Sequence, residues 1–482
     1  MSVLKRNIAF NTLLSISQIL FPLVTFPYAS RVLGPQAMGA VSFADNFTTY
    51  FLIFSALGIP LYGIREVAKA KNNPEALGKV FSELIFIHFL TSVISVIVLF
   101  IISYFTHRLR TNFALYQIGM AVLMGNVFIA EWFFQGIEKF KYIALRTVFI
   151  RMLTVALLFL LVHSIEDRNT YYALNLLATI LAAVTNMYAV NKIVKISFKQ
   201  LSLKKHLKPL FIIFSNSVVT TIYLVFDSII LGFLTRDVNV GYYSASMRIS
   251  KLSLAIIGVL SAVLLPRLTI AFQKEDLTEA KSLLAKSMNF VIFLSVPIAL
   301  GTYCLSEEII LLFAGKSYLP AVSSLQILCF IVIFVGIAQI FSHQILLPLH
   351  QEKKILYASL FGVFVSLSLN FILIPFLKQD GAAISSLITE LCVTIALFFY
   401  AFKLLNFKFP VLQVIQSMLT CMAFFIFKYF VLKLTLIPIL VILYTVILSG
   451  IFYLVAQLFI WKNRNVLDIL SGFGPLKFLQ KI

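Results

Sequence analysis

Apolar runs of about twenty residues alternate along this chain with short polar connections, and inside several runs the polar residues recur at helical spacing rather than strand spacing. Fourteen such runs fall at approximately 8–30, 38–62, 80–105, 113–135, 143–164, 171–191, 209–234, 240–265, 288–306, 320–348, 355–377, 381–402, 411–432 and 437–460. A bilayer core about 30 Å thick takes roughly 20 residues of helix. The pattern therefore predicts an all-α integral membrane protein with about 14 transmembrane helices. Six runs precede a basic stretch at 192–208, six follow it and two close the chain. We expect a six-helix lobe over 1–191, a basic hinge loop over 192–208, a second six-helix lobe over 209–403, and two extra helices with a tail over 404–482.

Four runs carry polar stripes. Asn11, Ser15, Gln18 and Thr25 share one helical face, and Pro22 and Pro27 predict a bend in the same helix. Arg31 marks its outer end, and the Gly/Pro turn RVLGPQAMG leads to a second stripe of Ser42, Asp45 and Thr49. After the basic stretch, Asn216, Thr220 and Asp227 line the seventh run, and Ser244, Arg248, Lys251 and Gly258 the eighth. A shift of 202 residues places Ser15, Gly39, Ser42 and Arg65 on Ser217, Gly241, Ser244 and Arg267. Such weak internal symmetry is a mark of transporter folds built from structural repeats.

Composition agrees with the pattern: 61% hydrophobic residues, 12% charged and a mean hydropathy of +0.99 are far from a soluble average. The formal charge of +20 raises the question of a nucleic-acid partner. However, most Lys and Arg fall in connections that lie on the inner side when both termini are cytoplasmic, so the positive-inside rule accounts for the excess. The first run is long and is followed by many others, which reads as a retained span rather than a leader. Cys304, Cys329, Cys392 and Cys421 sit singly in apolar runs and read as buried thiols. The six His show no metal-ligand spacing, and no phosphate-binding glycine motif suggests direct ATP use. The segment 461–482 mixes basic and apolar residues and is expected to lie along the inner membrane surface.

Charges within the runs are the candidates for function, since an Arg or Lys near the bilayer centre costs about 2.5 to 3.5 kcal/mol on insertion scales. Arg248 and Lys251 share a face and call for an anion. That anion is a mobile ligand in a wet cavity, or Asp45 and Asp227 neutralise the pair in a static core. Arg151 is open between a site residue and a cation snorkelling to the interface. Lys428 reads as a packing or interfacial residue, and Glu83 and Glu131, near run ends, as structural; Glu390 lies deeper.

The segment EWFFQGIEKFKYIALRTVFIRM at 131–152 resembles the signature at the end of the fourth helix of bacterial polysaccharide (O-antigen type) flippases, within the multidrug/oligosaccharidyl-lipid/polysaccharide exporter superfamily. PYASRVLGPQAMGAVSFAD at 27–45, VGYYSASMRISKL at 240–252 and NFILIPFLKQDGAAISSLITE at 370–390 agree with it. The resemblance implies a central cationic cavity lined by the first, second, seventh and eighth helices, with Arg31, Asp45, Asp227, Arg248 and Lys251 in its wall. Gln18, Asn216 and Ser244 are the matching polar partners for sugars. It also implies a groove for a lipid tail made by the last two helices. The expected substrate is an oligosaccharide on a polyprenyl diphosphate, moved from the cytoplasmic to the outer leaflet of a bacterial inner membrane by alternating access.

No cofactor or enzymatic step is expected. A proton or sodium gradient acting through Asp45 or Asp227 is the candidate coupling, and the expected protein is a monomer in contact with membrane lipids and polysaccharide assembly proteins. Two other classes stay in view. A multidrug-type cation antiporter of the same fold calls for an acidic or aromatic cavity. A membrane-embedded polymerase or glycosyltransferase calls for a long loop with paired carboxylates.

Overall fold

The computed structural model describes residues 3–199, 201–274 and 277–461, and the side chains of 3–6, 8, 19, 216–225, 255–267 and 273 lie outside that description. Asn216, Thr220 and Gly258 of the expected stripes are among these, and the expected surface segment 461–482 is described only at Trp461. Two compact units divide the chain, Met1–Gly241 and Tyr242–Ile482. Every regular element among the described residues is a helix.

The first unit holds α1 (Val3–Ala56), α2 (Ile59–Ala70), α3 (Pro74–Phe105), the short α4 (His107–Arg110), α5 (Phe113–Asn126), α6 (Glu131–Gly136), α7 (Phe140–Leu161), α8 (Arg168–Asn191) and α9 (Lys204–Leu234). The first residues of α10 (Asp237–Gln273) complete it. The second unit continues α10 and adds α11 (Leu277–Cys304), α12 (Ser306–Phe313), α13 (Val322–Leu328), α14 (Ile331–Gln339), α15 (Glu352–Leu404), α16 (Val411–Cys421), α17 (Ala423–Leu434) and α18 (Pro438–Val455). Ten helical stretches among the described residues are long and apolar enough to cross a membrane. That tally is not the fourteen read from the sequence, in part because two stretches are each continuous across an expected boundary. Ala9–Ala70 is broken at Gly34 (φ 70°), followed by Pro35, and Glu352–Leu404 is broken at Lys378 (φ 52°).

In the first unit α1 packs on α3, α5 and α7, and α9 packs on α1 and α2. Bulky side chains fill one end: Phe81 and Leu84 of α3 meet Trp132, Phe133 and Ile143, with Val190 and Leu210 closing the cluster. Small residues let the backbones approach. A methyl at Gly63 would sit 2.5 Å from the Trp132 ring, and one at Gly136 would sit 2.5 Å from Val67. Rows of apolar residues point outward, among them Ile94, Ile97, Phe105, Phe149 and Leu160. Water would penalise such a surface, whereas lipid accepts it.

Residues 192–208, expected as a hinge, are fastened to α3 and α2. Ser197 N–H donates to Ser82 Oγ (3.0 Å), and Ser202 N–H to Glu83 Oε1 (2.8 Å). Lys205 and His206 both reach Glu83 Oε2 at 2.8 Å, while His206 Nδ1 shares a hydrogen bond of 2.8 Å with the Tyr62 hydroxyl. Glu83 is fully buried there. The structural role expected for it is therefore to pair with Lys205 and His206 and hold a loop amide.

In the second unit α11 packs on α14 and α16, and α15 on α13 and α14. The two closing helical stretches belong to this packing. Gln413 of α16 donates to the Asn289 carbonyl (2.8 Å), and Tyr453 of α18 donates to the Phe293 carbonyl and to Ser417 Oγ, both at 3.0 Å. Lys428 of α17 meets Glu308 of α12 at 2.8 Å, so the packing role read for this lysine is a buried ion pair.

Candidate functional site

On α1 the expected stripe is only partly withdrawn from the surface. Gln18 is exposed, and Ser15 and Thr25 donate back to the carbonyls of Asn11 and Phe21, both at 3.0 Å. Ser17, on a neighbouring face of the same helix, is buried, and it accepts a hydrogen bond of 3.1 Å from Arg151 Nη1 on α7. The Arg151 guanidinium lies 5.8 Å from the centre of the Phe21 ring and within the field of Glu131. Arg151 is thus held inside the helix packing, and Glu131 is bound directly to the buried Arg146. Arg31 is exposed, with Nη1 3.2 Å from the Pro27 carbonyl.

Asp45 is partly buried beside Tyr172 of α8, and Asp227 of α9 is partly buried beside Tyr50 of α1. Each acid thus lies beside a tyrosine of another helix. A third acid in this unit was not singled out from the sequence. Asp237, in the first turn of α10, accepts from Arg108 at 2.5 Å and from Asn112 at 3.2 Å, while Arg108 Nε donates to the Gly232 carbonyl (2.9 Å). The Arg108 guanidinium also faces the Phe43 ring at 5.5 Å. An acid at that position suits the positive end of the helix, and the pair fastens α4 to the start of α10. It carried no sequence signal because 129 residues separate its members.

In the second unit α10 presents Ser244 buried, Arg248 partly buried and Lys251 exposed. These follow one helical face, as the spacing predicts. The helix is held elsewhere by its neighbours' hydroxyls and carbonyls: Tyr243 OH pairs with Ser386 Oγ (3.0 Å), and Ser246 Oγ donates to the Ala321 carbonyl (2.8 Å).

The same unit contains an apolar groove of about 380 Å³ between α11, α17 and α18. Phe293, Pro297, Ile298, Phe424, Val446 and Leu454 are among its apolar lining residues. Thr445 and Ser449, one turn apart on α18, also line it, and their hydroxyls find no hydrogen-bond partner among the described residues. Gly301 and Gly450 keep it open: a methyl at Gly450 would meet nothing within 4 Å. The groove suits a chain-like hydrocarbon.

The motif at 131–152 forms an elbow. Ala130 (φ 40°) and Glu138 (φ 60°) adopt the left-handed backbone conformation on either side of α6, turning the chain sharply into and out of it. Trp132, Phe133 and Phe134 are buried, and Lys71 reaches Glu138 at 3.1 Å. The motif therefore builds the joint between α5 and α7 and carries Arg146 and Arg151 into α7.

An all-helical membrane fold with broken first and fifteenth helices and charges inside its spans defines a class of multi-pass transporter-like proteins. Solved structures share it. "Lipid II flippase MurJ, inward closed conformation" superposes with a TM-score of 0.64 at 19% identity, over 92% of this chain and 99% of that one. An inward-facing multidrug resistance MATE family transporter of the MOP superfamily superposes with a TM-score of 0.68 at 15% identity, over 81% of this chain and 94% of that one. The family described as "Polysaccharide biosynthesis protein" matches residues 4–272, and the chain belongs to it. Two relatives are similar over 81% of the chain: the "Putative O-antigen transporter" of Escherichia coli (strain K12), 25% identical with 95% of its length covered, and that of Shigella dysenteriae, 24% identical with 98% covered.

Proposed function

We propose that this protein is a flippase for lipid-linked oligosaccharides, carrying polyprenyl-diphosphate-linked units from the cytoplasmic to the outer leaflet for surface polysaccharide assembly. The observation that carries the reading is the partly buried Arg248, with Lys251 one turn on, on the long helix α10 of a polysaccharide biosynthesis family member. A guanidinium offers a diphosphate a planar fork of donors. Ser244, Gln18 and Asn216 supply hydroxyl and amide partners for sugars, and Arg31, Asp45, Asp227 and Arg151 tune the field around the headgroup. The groove beside α18 takes the first part of the polyprenyl tail, and the remainder stays in the bilayer.

Transport proceeds by alternating access, with the headgroup screened by the cations while the binding region opens first to one side and then to the other. With the cell interior negative, outward movement of an anion is favoured by about 2.3 kcal/mol per charge per 100 mV. A returning proton or sodium ion at Asp45 or Asp227 resets the site. Both relatives bear the name of an O-antigen transporter, which favours this reading over a multidrug antiporter.

The test is reconstitution in vesicles with a fluorescent lipid-linked oligosaccharide. Leaflet exposure is followed with a membrane-impermeant quencher, and the lipid is analysed chemically afterwards. Accelerated exchange with an unaltered lipid supports the proposal. An exchange rate equal to protein-free vesicles refutes it, and new glycosidic bonds point to an enzyme instead.

A further inference from the structure

At one end of the first unit, four lysines line a cleft of about 730 Å³: Lys79 of α3, and Lys192, Lys195 and Lys199 of the stretch after α8, with Glu75 as the acid among them. The cleft lies where α3 begins and α8 ends. Both helices are long and apolar enough to cross a membrane, so their ends are where a bilayer's headgroups would lie. We propose that the cleft is a binding site for the anionic headgroup of a membrane phospholipid, a phosphoglycerol of the surrounding leaflet, separate from the transported substrate.

Lysines on a loose connection would make only a diffuse basic surface. Here the backbone that carries them is built against α3. Val194 is buried in the cluster of Leu77, Phe81 and Val190. Gly78 lets the loop come close, since a methyl there would lie 2.7 Å from the Lys195 carbonyl oxygen. Ser197 and Ser202 donate their amides to Ser82 and Glu83, and Lys205 and His206 close on Glu83 just beyond. Lys192 lies 4.2 Å from the centre of the Tyr188 ring, which orients its ammonium. The positive charges are thus presented on a fixed wall, and little ordering is required on binding.

The rim identifies the ligand. Phe198 stands between Lys195 and Lys199, more than half exposed, with its ring 6.2 Å from that of Phe86 on α3. An exposed aromatic between lysines at the end of a membrane helix belongs at the headgroup level, with its ring against the ester and upper acyl region. A free phosphate or a nucleic acid would leave that ring in water. Basic residues at a membrane surface each contribute about 1 kcal/mol toward anionic lipid. The attraction is largest where several converge on one phosphate.

Native mass spectrometry of the full chain in detergent, titrated with dioleoyl phosphatidylglycerol or dioleoyl phosphatidylcholine, reads the site directly. The wild type is expected to retain phosphatidylglycerol preferentially. Replacing Lys79, Lys192, Lys195 and Lys199 with Gln is expected to weaken that retention by at least about tenfold. A matched variant with Gln at the exposed Lys204, Lys208, Lys353 and Lys403 removes the same charge elsewhere and should retain it. Gly78→Val keeps every lysine but displaces the loop, and should weaken retention too. The proposal is overturned if the cleft variant binds as the wild type does, if the matched variant loses as much, or if millimolar inorganic phosphate displaces the lipid. Should the fourfold variant fold poorly, as judged by melting temperature, the pair Lys195→Gln and Lys199→Gln carries the same test.

Discussion

Gly39 and Gly241 lie back to back. A methyl on Gly39 would fall 1.8 Å from the Asp237 carbonyl oxygen and 2.8 Å from the Gly241 nitrogen, and a methyl on Gly241 would fall 2.1 Å from the Pro35 carbonyl oxygen. The two glycines are the pair that the 202-residue shift of the sequence aligns. At these two glycines the segment after the Gly34 break and the start of α10 approach backbone to backbone.

Replacing Gly39 or Gly241 with Ala should therefore destabilise the protein. In an unhindered helix the same change stabilises by about 1 kcal/mol. Here the methyl has nowhere to go, and overpacking of this kind costs about 1 to 3 kcal/mol or more. Thermal melting in detergent reads the sign. A rise in melting temperature would mean that the close contact is not made.

Lys428 and Glu308 form a second contact with a measurable consequence. The ammonium sits 2.8 Å from the carboxylate and 2.8 Å from the Cys304 carbonyl, with only 18% and 9% of the two side chains exposed. Lys428→Ala strands a carboxylate and should cost about 3 to 5 kcal/mol, whereas exchanging both for Met should recover most of the loss. A double-mutant cycle by melting or denaturant titration measures the coupling.

Arg248 tests the anion reading. Arg248→Ala should cut flipping by about ten- to a hundredfold, the equivalent of losing charge-assisted hydrogen bonds of about 1.5 to 3 kcal/mol. Arg248→Lys should recover part of it, because charge returns without the fork of donors. The check is exchange rate in vesicles at matched protein content. Full activity in Arg248→Ala would remove the residue from the site.

Gly450 offers a way to close the groove without disturbing the packing. Its neighbourhood is open to 4 Å, so Gly450→Phe should project a ring into the groove and leave the melting temperature nearly unchanged. Flipping of a long-chain substrate should fall. A short-chain analogue, whose tail does not reach the groove, should be moved as before.

Much of the architecture was legible because membrane helices announce themselves by length and composition. The breaks at Gly34 and Lys378 fall at the turns that the Gly/Pro stretch and the interval between runs at 355–377 and 381–402 predicted. The cationic face of α10 followed from spacing alone. Other features had no sequence signal. Tyr62, Glu83 and His206 form one hydrogen-bonded cluster, yet each comes from a different element, and no periodicity joins them. Gln18 lies on the expected stripe but is exposed, while its neighbour Ser17 makes the contact to Arg151; a helical wheel fixes a face only to within about one residue. The groove was expected from the last two helices, and α11 supplies much of its wall, because long-range packing chose a partner that composition does not encode.

The fastening of residues 192–208 to Ser82 and Glu83 relocates pliancy in the first unit. A connector stitched down by its own amides has no slack to give. Pro22 and Pro27 deprive α1 of two backbone donors, and Gly34 interrupts it a turn or two later. The joint is therefore carried by a helix and the brace by a loop, so this unit yields along α1 and not at the connector.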